Sequence, residues 1–138
     1  MKRLCWLLLL MPLLVACTVS VGCAASCVGP YLDDQPPAGS YGAPTPTVRA
    51  GDSVEIYGHW YTSTCNDTCR NDPLVPLPDV ELTLTLPGGQ PQRLGRFTPA
   101  GQDFGFNVTV HIPETARPGT ATIKDDRSPP AVYRFQVD

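Results

Sequence analysis

Six cysteines carry most of the chemistry that this 138-residue sequence offers. Cys17, Cys23 and Cys27 fall close together near the start, Cys65 and Cys69 form a second group, and Cys5 lies in an apolar head. Cys23-Ala24-Ala25-Ser26-Cys27 and Cys65-Asn66-Asp67-Thr68-Cys69 each leave three residues between the thiols. Structural zinc is commonly held by cysteine pairs two to four residues apart, so a four-thiolate site, or one that adds His59, is an alternative. An exported chain meets an oxidising compartment, which favours disulfides among Cys23, Cys27, Cys65 and Cys69, and no metal site is expected. A dithiol redox motif has a two-residue spacer and a following helix, and this pattern has neither. A local bridge contributes about 2 kcal/mol, whereas a crossed bridge such as Cys23 to Cys65 contributes about 4 kcal/mol. Nothing in the residues around Cys27 asks them to dock near Cys65, so local pairs are expected.

The segment "GHWYTSTCNDTC", Gly58 to Cys69, is the one stretch dense in side chains that grip other molecules. His59, Trp60 and Tyr61 stand at a strand end, where the loops of a sandwich gather, and an aromatic pair there suits a sugar, peptide or protein partner. The plainer reading, and the one expected, is that Trp60 and Tyr61 cap the open end of a core and His59 is exposed. Catalysis has little support: there is neither a G-x-S-x-G elbow nor an H-E-x-x-H pair. His111 falls on the polar side of an alternating stretch and reads as a surface histidine. No catalytic residue and no cofactor are expected.

Charge narrows the partners. Of ten basic residues Lys2 and Arg3 lie in the head, leaving eight against thirteen acidic side chains, a net of about −5 for the remainder. A nucleic-acid binder needs a basic face to meet phosphates, so that class is disfavoured. The head runs from Met1-Lys2-Arg3 into an apolar stretch, Leu4 to Val15, followed by small residues, which is the order of a secretory signal. A spanning helix needs about 20 apolar residues, more than this stretch supplies, and Pro12 interrupts it.

Leu14-Val15-Ala16-Cys17, placed directly after that stretch, resembles the lipobox of bacterial lipoproteins. The resemblance implies a diacylglyceryl group on the Cys17 thiol, cleavage before Cys17 and acylation of the new amino terminus. Ser20-Val21-Gly22-Cys23 is the competing site, but it puts serine where leucine is wanted, and choosing it leaves an odd number of mature cysteines. Several acyl chains on one residue hold permanently, since each buried methylene adds about 0.8 kcal/mol. Thr18 replaces the aspartate that commonly retains such proteins at the inner membrane. The expected location is therefore the extracytoplasmic side of a bacterial envelope, at the outer membrane if the host has one.

Everything beyond the anchor must position whatever the protein displays. Residues 17–47 carry the anchor and a stretch, "VGPYLDDQPPAGSYGAPTPT", that is poor in aliphatics and reads as a semi-extended tether, with Asp33 and Asp34 solvated. From 48 to 138 the pattern alternates with period two: "SVEIYG", "VELTLTL" and "FGFNVTVHI" each set apolar residues against polar ones, as half-buried strands do. Thr47 to Arg49, Gln92 to Phe97, Thr120 to Lys124 and Val132 to Val137 are shorter strand candidates. Sixteen prolines and twelve glycines, scattered evenly, oppose long helices and supply turns. Seven short strands predict an all-β fold, a single sandwich, with a small barrel as the second choice. The segments "AGDSVEIYGHWY" and "GFNVTVHIPETARPGTATI" also resemble bacterial immunoglobulin-like domains of the cell envelope. That resemblance implies an immunoglobulin-like sandwich used as a spacer, adhesive or partner-binding module, its partner an envelope protein or glycan. A soluble secreted binding module and a metal-binding envelope protein using Cys65, Cys69 and His59 remain the alternatives.

Overall fold

The computed structural model describes residues 27–37, 45–65 and 73–138. Cys17, Cys23 and Cys69 lie outside the described residues, as does the signal segment 1–16. Eight strands follow in chain order: β1 (Tyr31–Asp33), β2 (Thr47–Val48), β3 (Ser53–His59), β4 (Val80–Thr85), β5 (Gln92–Phe97), β6 (Phe106–His111), β7 (Gly119–Asp125) and β8 (Val132–Val137). All seven strands expected from alternation and turn chemistry are present, and β1 is additional.

The strands form two sheets, ordered β1-β3-β6 and β2-β8-β7-β4-β5. Neighbours are antiparallel except β2 and β8. Strands β3 and β6 pair although β4 and β5 intervene in sequence and belong to the opposite sheet, and β7 returns between β8 and β4. This crossing between sheets is the Greek-key connectivity of an immunoglobulin-like sandwich.

Alternation explains the core directly. In β4, Val80, Leu82 and Leu84 are buried while Glu81, Thr83 and Thr85 face outward. Val54 and Ile56 of β3 face them from the other sheet, with Ala121 and Ile123 of β7 and Phe135 and Val137 of β8 completing the filling. A one-residue slip in any of these strands would turn its apolar set to water, so burial fixes the register Val54↔Val110, Leu84↔Ile123 and Ala121↔Phe135. Each fully buried large aliphatic or aromatic residue contributes roughly 1.5–3 kcal/mol. The outer edge is β5, whose Arg93 and Arg96 both reach Glu81, at 2.9 and 3.2 Å; such charges discourage pairing with a further strand.

The stretch read as a tether contributes β1. Tyr31, Leu32 and Asp33 pair with His59, Gly58 and Tyr57, and Leu32 is buried in the core. One inward leucine flanked by two side chains with partners on β3 is enough to dock three residues. A count of aliphatics over the whole stretch conceals this.

The expected local disulfide at Cys27 is also corrected. Cys27 is bonded to Cys65, with Cα atoms 5.9 Å apart and a sequence separation of 38. Strand β1 supplies the missing reason for the crossing. Its pairing with β3 brings the chain that precedes Tyr31 to the end of the sheet where β3 runs into Cys65.

Candidate functional site

The site grows from four consecutive residues that end β3 and leave it: Gly58, His59, Trp60 and Tyr61. Gly58 is where the Phe106 ring crosses the sheet, and a Cβ at Gly58 would lie inside van der Waals contact with that ring. With Gly58 bare, Phe106 packs on the Tyr61 ring at 5.0 Å between centroids and on Phe97 at 5.4 Å. The three rings close one end of the core.

His59 was expected to be exposed, and it is buried, with 3% of its surface accessible. It stands on the outer face of the β1-β3-β6 sheet, where alternation predicts solvent, but neighbouring segments cover it. Its Nδ1 lies 2.9 Å from Asp103 Oδ2 and its Nε2 lies 3.0 Å from Asp33 Oδ1 and 3.1 Å from the Gln35 carbonyl oxygen. Tyr31 stacks on the imidazole at 4.7 Å between centroids. A ring carrying both protons donates to both carboxylates, whereas a neutral ring can donate at only one nitrogen. The histidine thus ties β1 to the loop before β6. Asp33, expected to be a solvated charge, is one of its two carboxylate partners.

Trp60 takes a left-handed conformation, φ 57, and Phe104 opposite it takes φ 49. Both are bulky residues for which this region is unfavourable. Backbone bonds hold the pair: Trp60 N–H donates to the Asp103 carbonyl at 2.7 Å, and Tyr61 N–H to the Phe104 carbonyl at 3.1 Å. The turn in direction at Trp60 lets Tyr61 return to the core and leaves Trp60 half-buried. A shallow cleft of about 210 Å³ results, lined by Trp60, Cys27, Val28, Thr62, Cys65 and Leu74.

Tyr61 is fully buried, so it fills the end of the core as the plainer reading expects and is closed to a partner. Its hydroxyl makes no well-formed hydrogen bond, although the Asp125 carboxylate is near enough to act on it. Burial, and then the nearby Asp125 carboxylate, push its phenol well above the ordinary tyrosine value. Asp125 is itself buried, accepting from Arg127 Nε and from the amides of Arg127 and Ala131 at 2.9, 3.2 and 2.9 Å. It braces the turn between β7 and β8. The Arg127 guanidinium carbon sits 5.4 Å from the Tyr61 ring centroid, a cation–π contact that also shields the ring. Burial likewise raises the Tyr133 phenol, followed by the charges of Asp34 and Asp33.

Of the predicted site residues, His59, Trp60, Tyr61, Cys27 and Cys65 therefore meet at one end of the sandwich, with Trp60 alone of the three loop residues facing a cleft. The metal-site alternative loses two of its three ligands, because Cys65 in a disulfide offers no thiolate and both His59 nitrogens are engaged. Sequence reasoning missed Asp33, Asp103, Val28 and Leu74. Asp103 lies in a turn segment, Ala100 to Asp103, whose composition signals the turn and gives no sign that its last side chain faces a histidine on another strand. His111, by contrast, is exposed as expected, 3.4 Å from Ser53 Oγ.

No protein-family model matches the chain, and no curated protein matches it. Among solved structures the chain is similar to Escherichia coli alpha-2-macroglobulin activated by porcine elastase, with 15% identity and a TM-score of 0.49. The match covers 78% of this chain and 8% of that one, so the chain corresponds to a small fraction of that protein's length.

Proposed function

We propose that the chain is a bacterial envelope lipoprotein, held by acyl chains on Cys17, that displays an immunoglobulin-like sandwich for structural or partner-binding work and catalyses no reaction. The observation that carries the reading is the order cationic start, apolar stretch, Leu14-Val15-Ala16-Cys17. The Cys27–Cys65 disulfide supports export, since such bonds persist in oxidising compartments. The domain that follows is built almost wholly of strands and turns, and its buried polar clusters are engaged internally. Asp33, Asp103 and His59 satisfy each other, as do Asp125 and Arg127, which leaves them as braces.

Thr18 after the anchor supports display at the outer membrane in a host that has one. The partner there would be an envelope protein or a glycan. Expression in an envelope-competent bacterium followed by detergent phase separation tests the anchor. The parent protein is expected in the detergent phase and a Cys17→Ala variant outside it. Recovery of the parent from the medium without detergent would instead favour a soluble secreted binding module.

A further inference from the structure

Among the described residues the exposed large hydrophobics are Val28, 57% accessible, and Val75, 47% accessible. Both belong to the Trp60 end of the sandwich. Val28 lines the cleft beside Trp60 and Leu74, and the Val75 carbonyl accepts the Ser63 amide at 2.8 Å, two residues beyond Tyr61. Single exposed aliphatics are ordinary. Their meeting at one end, around a tryptophan held in a strained left-handed conformation, is not, because such strain is kept where surrounding structure enforces it and it concentrates at functional surfaces.

The direction of the chain says what this end faces. Cys27 is bonded to Cys65 at the cleft, so a chain arriving from Cys17 joins the folded domain there. Ten residues span at most about 35 Å when fully extended. The opposite end of the sandwich is at least a strand away, and β3 alone runs about 23 Å. Presenting that end to the bilayer would use most of this reach, whereas the Trp60 end needs none of it. The carboxy-terminal residue belongs to that far end, where Asp138 N–H donates to the Val48 carbonyl and the Asp138 carbonyl accepts from Ala50, at 3.1 Å each.

We infer that the Trp60 end is a membrane-facing surface, with Trp60, Val28, Leu74 and Val75 resting in the interfacial layer of the bilayer that holds the Cys17 lipid. The inference rests on the anchor reading for its geometry. Tryptophan suits this layer because its ring is apolar and its N–H can still meet water or a headgroup. Carboxylates at this end would oppose a lipid surface if they were free, but Asp33 and Asp103 face His59 and Asp125 faces Arg127; Asp79 and Asp126 remain exposed there, accepting from the Thr98 hydroxyl and the Glu81 amide. The cleft lining is mostly apolar and carries no basic residue, so it fits zwitterionic lipid. The lipidated residue brings it to the membrane, and the apolar cluster sets the domain upright on it.

The chain itself provides the probe. Of the two tryptophans in this sequence, Trp6 would leave with the signal, so Trp60 is the one tryptophan between Cys17 and Asp138. The full mature protein is reconstituted into phosphatidylcholine vesicles with and without lipid brominated high on the acyl chain. Emission from Trp60 is expected to fall by about twofold with the brominated lipid. In a Val28→Asp, Val75→Asp variant, changed at exposed positions only, most of that quenching is expected to disappear. Mass analysis of the Cys17 peptide from the same sample separates the two readings. Unquenched emission from lipidated protein overturns the membrane-facing surface and leaves the anchor standing, as expected if the cleft is reserved for a protein partner. If Cys17 is unmodified the anchor reading fails; quenching on adding that protein to the vesicles would still support the surface, and its absence would overturn it.

Discussion

Gly58, His59, Trp60 and Tyr61 are neighbours in sequence and answer to four different demands: room for a ring, a bond to two carboxylates, a reversal of the backbone, and the filling of a core end. The hydroxyl of Tyr61 serves none of them. It is buried without a well-formed hydrogen bond, so Tyr61→Phe should leave stability within about 1 kcal/mol of the parent, whereas Tyr61→Ala should cost about 3–5 kcal/mol. The same phenol sets the alkaline limit. Tyr61 and Tyr133 are held protonated above the ordinary value by burial. Folding therefore favours their neutral forms, and this contribution is whole below about pH 10 and lost as pH rises beyond it. Phenolate absorbance should rise in two stages, the less buried tyrosines first and the buried pair only as near-ultraviolet circular dichroism collapses. In Tyr61→Phe the collapse should move to higher pH. A buried phenol that ionises without loss of the fold would contradict the packing described. From sequence, Tyr61 was legible as a core cap because aromatic residues at a strand end have few other places to go. The burial of His59 was not legible, because period-two alternation assigns a face and cannot report what later segments lay over it.

Among the elements, the six longer strands were legible wherever alternation or turn chemistry was strong, as in "VELTLTL" between Pro78 and Pro87-Gly88-Gly89. Strand β1 was not, because three residues in a stretch rich in proline and glycine carry no periodicity, and their docking depends on Leu32 finding the core and Asp33 finding His59. Missing β1 meant missing the crossing disulfide, whose only sequence signal was the larger loop-closure entropy of a distant pair. That entropy now gives a magnitude. The Cys27–Cys65 bond closes a loop of 38 positions, and replacing both residues by serine should lower unfolding free energy by about 4 kcal/mol. Urea denaturation of the Cys27→Ser, Cys65→Ser variant measures it. Amide exchange should show Tyr31 to Asp33 losing protection ahead of β4 and β7, since β1 is a short outer strand joined to the rest through β3. A variant as stable as the parent would mean that β1 docks without help from the bridge.

At the scale of the molecule, the two-sheet sandwich came from composition and periodicity together, and its connectivity emerged only from the observed pairing of β3 with β6 across the β4-β5 hairpin. The net charge of about −5 outside the head fits display at a surface better than binding to a polyanion. The apolar Trp60 end gives the sandwich a polarity, with one end toward Cys17 and the other, bearing Asp138, away from it. The central claim is the lipid on Cys17, and peptide mass spectrometry of the mature amino terminus tests it most directly. The account predicts that the protein begins at Cys17 and that this residue carries the added mass of a diacylglyceryl group, with a further acyl chain where the host acylates the new amine. An unmodified terminus at any position after Ala16 would contradict it.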